Sequence, residues 1–264
     1  MRKISLAVLC ILLLSGHELF LKTDSYFLTP QKENLLYLFN GTFDLSENTI
    51  SRDRIVNAQI HGPDFYHEPS DKDYYDDGDI TFLRWKTGAS GSYVAGISTL
   101  PRTLEMSPED FLAYLEHEGL TGLIAERKEK GLSEKSAKEK YSKHVKALLQ
   151  VGKQTSVDYS KVLGYPIEFV PLNNPYATKK GEVHSFQLFW KGKPLTDQVV
   201  HYAYKVGERD TEGEKSTLTN EEGIVHLQAE QKGKWYLATI FIEESAEAEL
   251  DYESNWATLT FEVR

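Results

Sequence analysis

Cysteine is almost missing from this chain. Its 264 residues carry one, Cys10, together with only two methionines. Cys10 lies inside an apolar run at residues 4–14, so a chain trimmed after that run has no thiol and no disulfide. Stability must then come from the size of the core. A lipid anchor on Cys10 is excluded as well, because Ala7-Val8-Leu9 lacks the small residue expected beside a lipoprotein cysteine. Positive charge is also short. Thirty basic residues face 40 acidic ones, a formal net charge of −10, which repels nucleic acid and anionic membrane surfaces. Beyond residue 14 no stretch is apolar enough to span a bilayer, which takes about 20 residues. Gly-x-Ser-x-Gly elbows, phosphate loops, His-Glu-x-x-His helices and a Ser-His-Asp order are all lacking. With 40 carboxylates, picking two as a glycosidase pair would be arbitrary. These absences lead us to expect a protein that is not an enzyme.

What is present begins with a targeting pattern. Arg2 and Lys3 precede the apolar run, and the small residues Ser15 and Gly16 follow it. Residues 1–16 therefore read as a signal peptide, cut so that His17 opens the mature chain. Loss of Arg2 and Lys3 moves the formal charge from −10 to −12. The expected location is periplasmic or secreted.

Fifteen tyrosines and 12 phenylalanines favour sheet. Alternating segments bounded by Gly, Pro or Asp predict strands at residues 18–24, 34–40, 54–60, 80–85 and 92–99. A second set follows at 183–190, 198–206, 224–228, 235–243 and 256–263, with Thr217 as the start of another. Between the two sets, residues 107–152 read as the one long helical stretch. Ser107 is an N-cap, Pro108 suits the first helical position, and Phe111, Leu112, Leu115 and Leu120 form a stripe. Ser133 or Ser136 opens a second helix in which Ala137, Tyr141, Val145 and Leu148 recur at helical spacing up to Gly152. The expected fold is mainly β, two β-sandwich-like units joined by a helical insert at about residues 107–152. Residues 17–172 form the first unit and residues 173–264 an Ig- or transthyretin-like sandwich.

The acidic run at residues 61–79 fails as a calcium loop. With Gly78 at the sixth position, Tyr75 and Arg84 fall where ligands are needed. It reads instead as a solvated loop closed by an Asp-Gly hairpin turn.

Several segments together carry a family likeness. They are His17-Glu-Leu-Phe, Asn40-Gly-Thr-Phe, Gly91-Ser-Tyr-Val-Ala-Gly-Ile-Ser and Phe111-Leu-Ala-Tyr-Leu-Glu-His-Glu-Gly-Leu. Tyr141-Ser-Lys-His, Gly164-Tyr-Pro-Ile-Glu, Gly192-Lys-Pro-Leu, Gly233-Lys-Trp-Tyr and Trp256-Ala-Thr-Leu-Thr-Phe continue them. The chain resembles the NikM-like domain-of-unknown-function family of exported bacterial proteins, some of which are accessories of nickel or cobalt uptake. The resemblance implies a transthyretin-like or carboxypeptidase-regulatory-like C-terminal module. It also implies that a histidine at the mature N-terminus, here His17, is a family feature. A further histidine that some relatives carry after the Gly-x-Trp motif is absent from residues 237–243.

A metal centre at the N-terminus is the sharpest chemical expectation. The free α-amine and the imidazole of His17 can chelate one ion together, and neutral nitrogens suit Ni, Co, Cu or Zn. His144 is the expected second ligand, with His61 and His67 in reserve. His184, His201 and His226 read as solvated strand histidines, and His117 as a residue on an exposed helical face. The expected partner is a membrane metal transporter or another envelope protein. The alternative is an envelope binding or structural module for a glycan, peptide or protein without metal, with Tyr74, Tyr75, Trp85 and Tyr93 lining its surface.

Overall fold

The computed structural model describes residues 18–178 and 181–264. Strands dominate these residues, and the α-helices among them are two, Pro108–His117 and Thr121–Glu129. The strands form three sheets in a sandwich-like stack, and the largest of them draws on both halves of the chain.

At the middle of that large sheet runs the strand Ala137–Val151. Its C-terminal end pairs antiparallel with Gly91–Thr99, which in turn pairs with Ile55–Gly62. Along its other edge, residues 139–147 run parallel to residues 252–260 of Tyr252–Val263. From there the sheet continues antiparallel through Gly233–Glu244, Val199–Lys205 and Glu212–Leu218. The expected second helix at residues 133–152 is therefore a strand. The reason is burial on both faces. Val145, Ala147, Leu149 and Val151 enter one core, and Leu148 enters the other. A strand covered on both sides reads as a near-continuous apolar run, which mimics helical spacing. The stretch does join the two sets of strands, through backbone pairing and not as an insert. The first half of the expected helical region is helical. The Ser107 side chain accepts from the Asp110 N–H at 3.1 Å, and Phe111, Tyr114 and Leu115 are buried.

Two smaller sheets cover the large one. Glu18–Lys22, Glu33–Gly41, Ile80–Lys86 and Tyr74–Asp77 make an antiparallel sheet, with Ser46–Asn48 beside the end of the second. Its Leu19, Leu21, Leu36, Leu38, Leu83 and Trp85 pack on Tyr93, Ala95, Val145 and Ala147. The opposite face of the large sheet is covered by Ile167–Pro171, Val183–Trp190 and Ile224–Gln228. Phe169, Phe186 and Leu188 there meet Leu237, Leu259 and Phe261. Hydrophobic burial on both sides of one sheet supplies the stability that disulfides provide elsewhere. Asp77-Gly78 forms the hairpin turn between Tyr74–Asp77 and Ile80–Lys86, with Gly78 at φ +55°. The acidic run is thus the loop and hairpin that the sequence predicts.

The first strand occupies a special place. Its Leu19 and Leu21 carbonyls accept from the Thr258 and Thr260 hydroxyls of the large sheet, at 2.7 and 2.5 Å. Glu18 starts this strand opposite Gly41. Phe20, on the same side of the strand as Glu18, packs edge-on against Phe43 and Tyr236. The two helices pack on the same face of the large sheet, where Phe111, Tyr114 and Leu115 meet Ile240, Tyr252 and Trp256.

Candidate metal centre

His17 lies outside the described residues, but the strand that follows it begins at a polar junction. Helix Pro108–His117 ends here because Gly119 takes φ +70°, a conformation natural to glycine. The turn brings His117 and Glu118 against the strand Val199–Lys205. The rings of His117 and His201 lie nearly parallel, with centroids 6.3 Å apart and planes 12° apart. Each ring is tied to a carboxylate through the same nitrogen. His117 Nδ1 is 3.1 Å from Glu118 Oε1, and His201 Nδ1 is 3.2 Å from Glu214 Oε1. The Tyr236 hydroxyl donates to the other oxygen of Glu214 at 2.6 Å. His201 Nε2 faces the Glu118 carbonyl at 3.5 Å, longer than a normal N–H···O bond. The side chain of Glu118 is 3% exposed and that of His117 is 55% exposed. The pair is thus anchored on one side and open on the other.

Charge at this junction follows from those contacts. The Glu118 hydrogen bond raises the His117 pKa, and the Glu214 hydrogen bond raises that of His201. Glu214 is held below the ordinary carboxylate range, first by His201. Glu18 stands well above that range, first through burial and then through the like charges of Glu118 and Glu214. Lys143 is pushed down to about 7 by burial, although Glu18 opposes the shift. Its ammonium donates to Asn40 Oδ1 at 3.1 Å. Glu18 is therefore within electrostatic reach of the carboxylates that hold the two imidazoles.

His144 sits elsewhere. It is on the central strand and not on a helix, and it is 4% exposed. Its Nδ1 is 2.9 Å from Ser98 Oγ and its Nε2 is 3.0 Å from Asn255 Oδ1. Burial lowers its pKa. Both ring nitrogens are engaged and no lone pair faces open space, so the geometry removes His144 as an ion ligand. Its sequence spacing from Tyr141 placed it at a helix edge, and the strand turns it into the core beside Tyr165, with centroids 6.0 Å apart.

The reserve histidines do not converge either. His61 Nε2 is 2.7 Å from Gln59 Oε1. His67 Nε2 is buried with no partner among the described residues. His184 is buried near Thr178, and burial lowers its pKa to about 4. His226 is bonded to Ser185 at 2.8 Å. Among the described residues, no three His, Cys, Asp or Glu side chains stand ready to hold a metal ion by themselves. Of the aromatic surface expected from the sequence, Trp85 and Tyr93 are core residues instead. The half-exposed row is Tyr37, Phe39, Tyr75 and Phe82, with Tyr75 and Phe82 stacked at 5.0 Å. Sequence reading passed over His117 and His201 because 84 positions separate them. The Glu116-His117-Glu118 triplet is the one local signal that could have drawn attention to them.

Among the described residues, no helix is long and apolar enough to cross a membrane. No curated protein matches the sequence. Among solved structures, the chain is similar to trypsin-activated alpha-2-macroglobulin from Escherichia coli, at 8% identity and a TM-score of 0.23. That alignment takes in 94% of this chain and 16% of the macroglobulin. The sequence model described as "Domain of unknown function (DUF4198)" matches residues 14–243, and with that share of the chain covered the protein belongs to this family.

Proposed function

We propose that this protein is an exported, non-catalytic accessory that binds a transition-metal ion at its mature N-terminus. Removal of residues 1–16 would leave the α-amine and imidazole of His17 free to chelate Ni, Co, Cu or Zn. The observation that carries the reading is the leader-like pattern of residues 1–16, with His17 directly after it. A NikM-like role beside a membrane metal transporter, and a transthyretin-like kinship of the C-terminal strands, extend the same proposal. The site of action is periplasmic or extracellular.

The experiment compares two proteins by calorimetry with Ni²⁺ and Cu²⁺. One begins at His17 and the other carries one added residue before it. The expected result is stoichiometric binding by the first and a loss of at least about ten-fold in affinity for the second. Equal binding by both would overturn the N-terminal chelate. The half-exposed row Tyr37, Phe39, Tyr75 and Phe82 favours the second reading, a binding module that uses no metal. That reading predicts no ion uptake and a melting temperature indifferent to chelator.

A further inference from the structure

We propose that the cleft beside the bulge in Ile55–Gly62 binds a neutral oligosaccharide, with the Tyr66 ring as the platform for one sugar and Asn57 and Glu68 as partners of its hydroxyls. The site uses no ion and does not depend on the N-terminal chelate. It is also a different surface from the Tyr37 row.

A break in strand pairing makes the cleft. Ile55–Gly62 pairs with Gly91–Thr99, but the register shifts between Val56 and Gln59, where Asn57 and Ala58 stand against Ile97 alone. Asn57 takes φ +51° there, a left-handed conformation that asparagine adopts more readily than most residues. A bulge of this kind bends the strand and re-aims its side chains. The loop at residues 163–165 holds the bulge in place. The Tyr165 hydroxyl donates to the Asn57 carbonyl at 2.8 Å, and Gln59 Nε2 donates to the Leu163 carbonyl at 3.1 Å. Between strand and loop lies a hollow of about 290 Å³, lined by Asn57, Gln59, Tyr66, Glu68, Gly164 and Tyr165. A Cβ on Gly164 would meet nothing within 4 Å. Gly164 and Tyr165 also line a second hollow of about 410 Å³, which opens over Val162, Pro166 and Phe189. Two hollows that adjoin at a glycine suit a chain of linked rings.

The lining selects the ligand class. Tyr66 is 60% exposed, yet it is held. Its ring packs on that of His61 with centroids 5.0 Å apart, and its hydroxyl donates to Glu68 Oε2 at 3.2 Å. His61 is fixed in turn by Gln59 Oε1 at 2.7 Å. The C–H bonds on the face of a pyranose meet the negative face of an aromatic ring. Its hydroxyls need polar groups at the rim. Glu68 supplies acceptor oxygens, and Asn57 an amide that both donates and accepts. Both residues are exposed. Of the residues lining the first hollow, Glu68 alone is charged, and it is an anion in a chain of net charge −10. Phosphates and acidic sugars are therefore repelled. In the second hollow Lys191 and Glu168 are already paired, with Glu243 and Lys146. The mainly polar wall of the first hollow disfavours a lipid or an apolar peptide.

The probes are triacetylchitotriose, cellotriose and maltotriose, each titrated by calorimetry in the presence of a chelator. At least one is expected to bind with a Kd of about 1 mM or tighter. Tyr66→Ala is expected to lower that affinity at least about ten-fold. Its melting temperature should stay that of the wild type, because the ring is exposed. Tyr66→Trp should keep the affinity and report binding by a change in indole fluorescence. Glu68→Ala should weaken binding about five-fold, and Tyr75→Ala, in the Tyr37 row, should leave it unchanged. Failure of all three sugars to bind at about 10 mM overturns the proposal. So does binding that survives Tyr66→Ala, or that is lost in Tyr75→Ala instead. Tetramethylammonium bound more tightly than any of the sugars would make Tyr66 and Glu68 an amine site, and would overturn it too. The chelator keeps every one of these outcomes separate from the fate of the N-terminal chelate.

Discussion

Glu139 is a carboxylate held where its charged form is disfavoured. It is 2% exposed, beneath the first helix. Ser254 and Tyr114 donate to one of its oxygens, and Oε2 is buried with no partner among the described residues. Burial pushes its pKa up to about 7. An acid raised in this way favours the folded state fully below its unfolded value, near 4.3, and withdraws that support as the pH climbs through 7. Stability should therefore fall between about pH 4.5 and 7.5. Glu139→Gln should flatten this decline and gain on the wild type by roughly 3 kcal/mol across the window. Urea unfolding at a series of pH values measures it, and parallel curves for the two proteins would refute the assignment. Lys146 and Glu168 pose the opposite case. Their side chains are 1% and 2% exposed and 2.8 Å apart. Glu168 also accepts from the N–H groups of Leu163, Gly164 and Tyr165. Lys146 also donates to the Phe169 carbonyl at 2.9 Å. Lys146→Met should leave a buried carboxylate without its cation and cost about 3–5 kcal/mol. A double variant that also replaces Glu168 by Gln should recover part of that loss, because Gln still accepts from the loop. An additive double-variant result would show that the two side chains do not depend on each other.

The sequence announces some elements and conceals others. Most short strands were legible, those with one wet face and also the fully buried Gly91–Thr99. The predicted segments at 18–24, 34–40, 80–85, 183–190 and 224–228 match observed strands to within two residues at each end. In the last four the alternation survives because one side is less covered. The first is buried on both sides and was marked by its own alternation of Leu and Phe, with Glu and Lys at the ends. Ser107 and Pro108 announced the first helix through cap chemistry, which is local. The central strand was concealed because tertiary packing covers both its faces. Lys143 and Lys146 looked like a solvated side of a helix, yet both are buried. The juxtaposition of His117 and His201 was not legible, because the two rings meet only when the helix end folds onto a distant strand. Two substitutions probe this level. Ser107→Ala should cost about 1 kcal/mol through the lost cap. Gly96→Ala should cost more, about 1–3 kcal/mol. A Cβ there would come within 2.3 Å of Leu163 and 2.7 Å of the Tyr165 hydroxyl. That collision presses the Glu168 loop off the central sheet. Thermal melts rank the two variants, and an unperturbed Gly96→Ala would mean that the loop yields freely.

At the scale of the whole molecule, continuity of the large sheet decides how the protein unfolds. A chain of 264 residues would ordinarily divide into domains that melt apart. Here residues 139–147 pair directly with 252–260, and Thr258 and Thr260 donate to the first strand. Separating the halves would strip one full edge from the strand Tyr252–Val263 and expose Leu148 and Val94, which pack in the C-terminal core. We therefore expect a single cooperative transition in urea. Fluorescence from a variant that keeps only Trp85, a reporter of the N-terminal core, should share its midpoint with one that keeps only Trp235, a reporter of the C-terminal core. Residues 173–264 produced alone should be unfolded or aggregated by circular dichroism, since the free edge at residues 252–260 invites strand pairing between molecules. Two separated midpoints, or a well-folded C-terminal fragment, would show that the shared sheet joins the halves without making them interdependent.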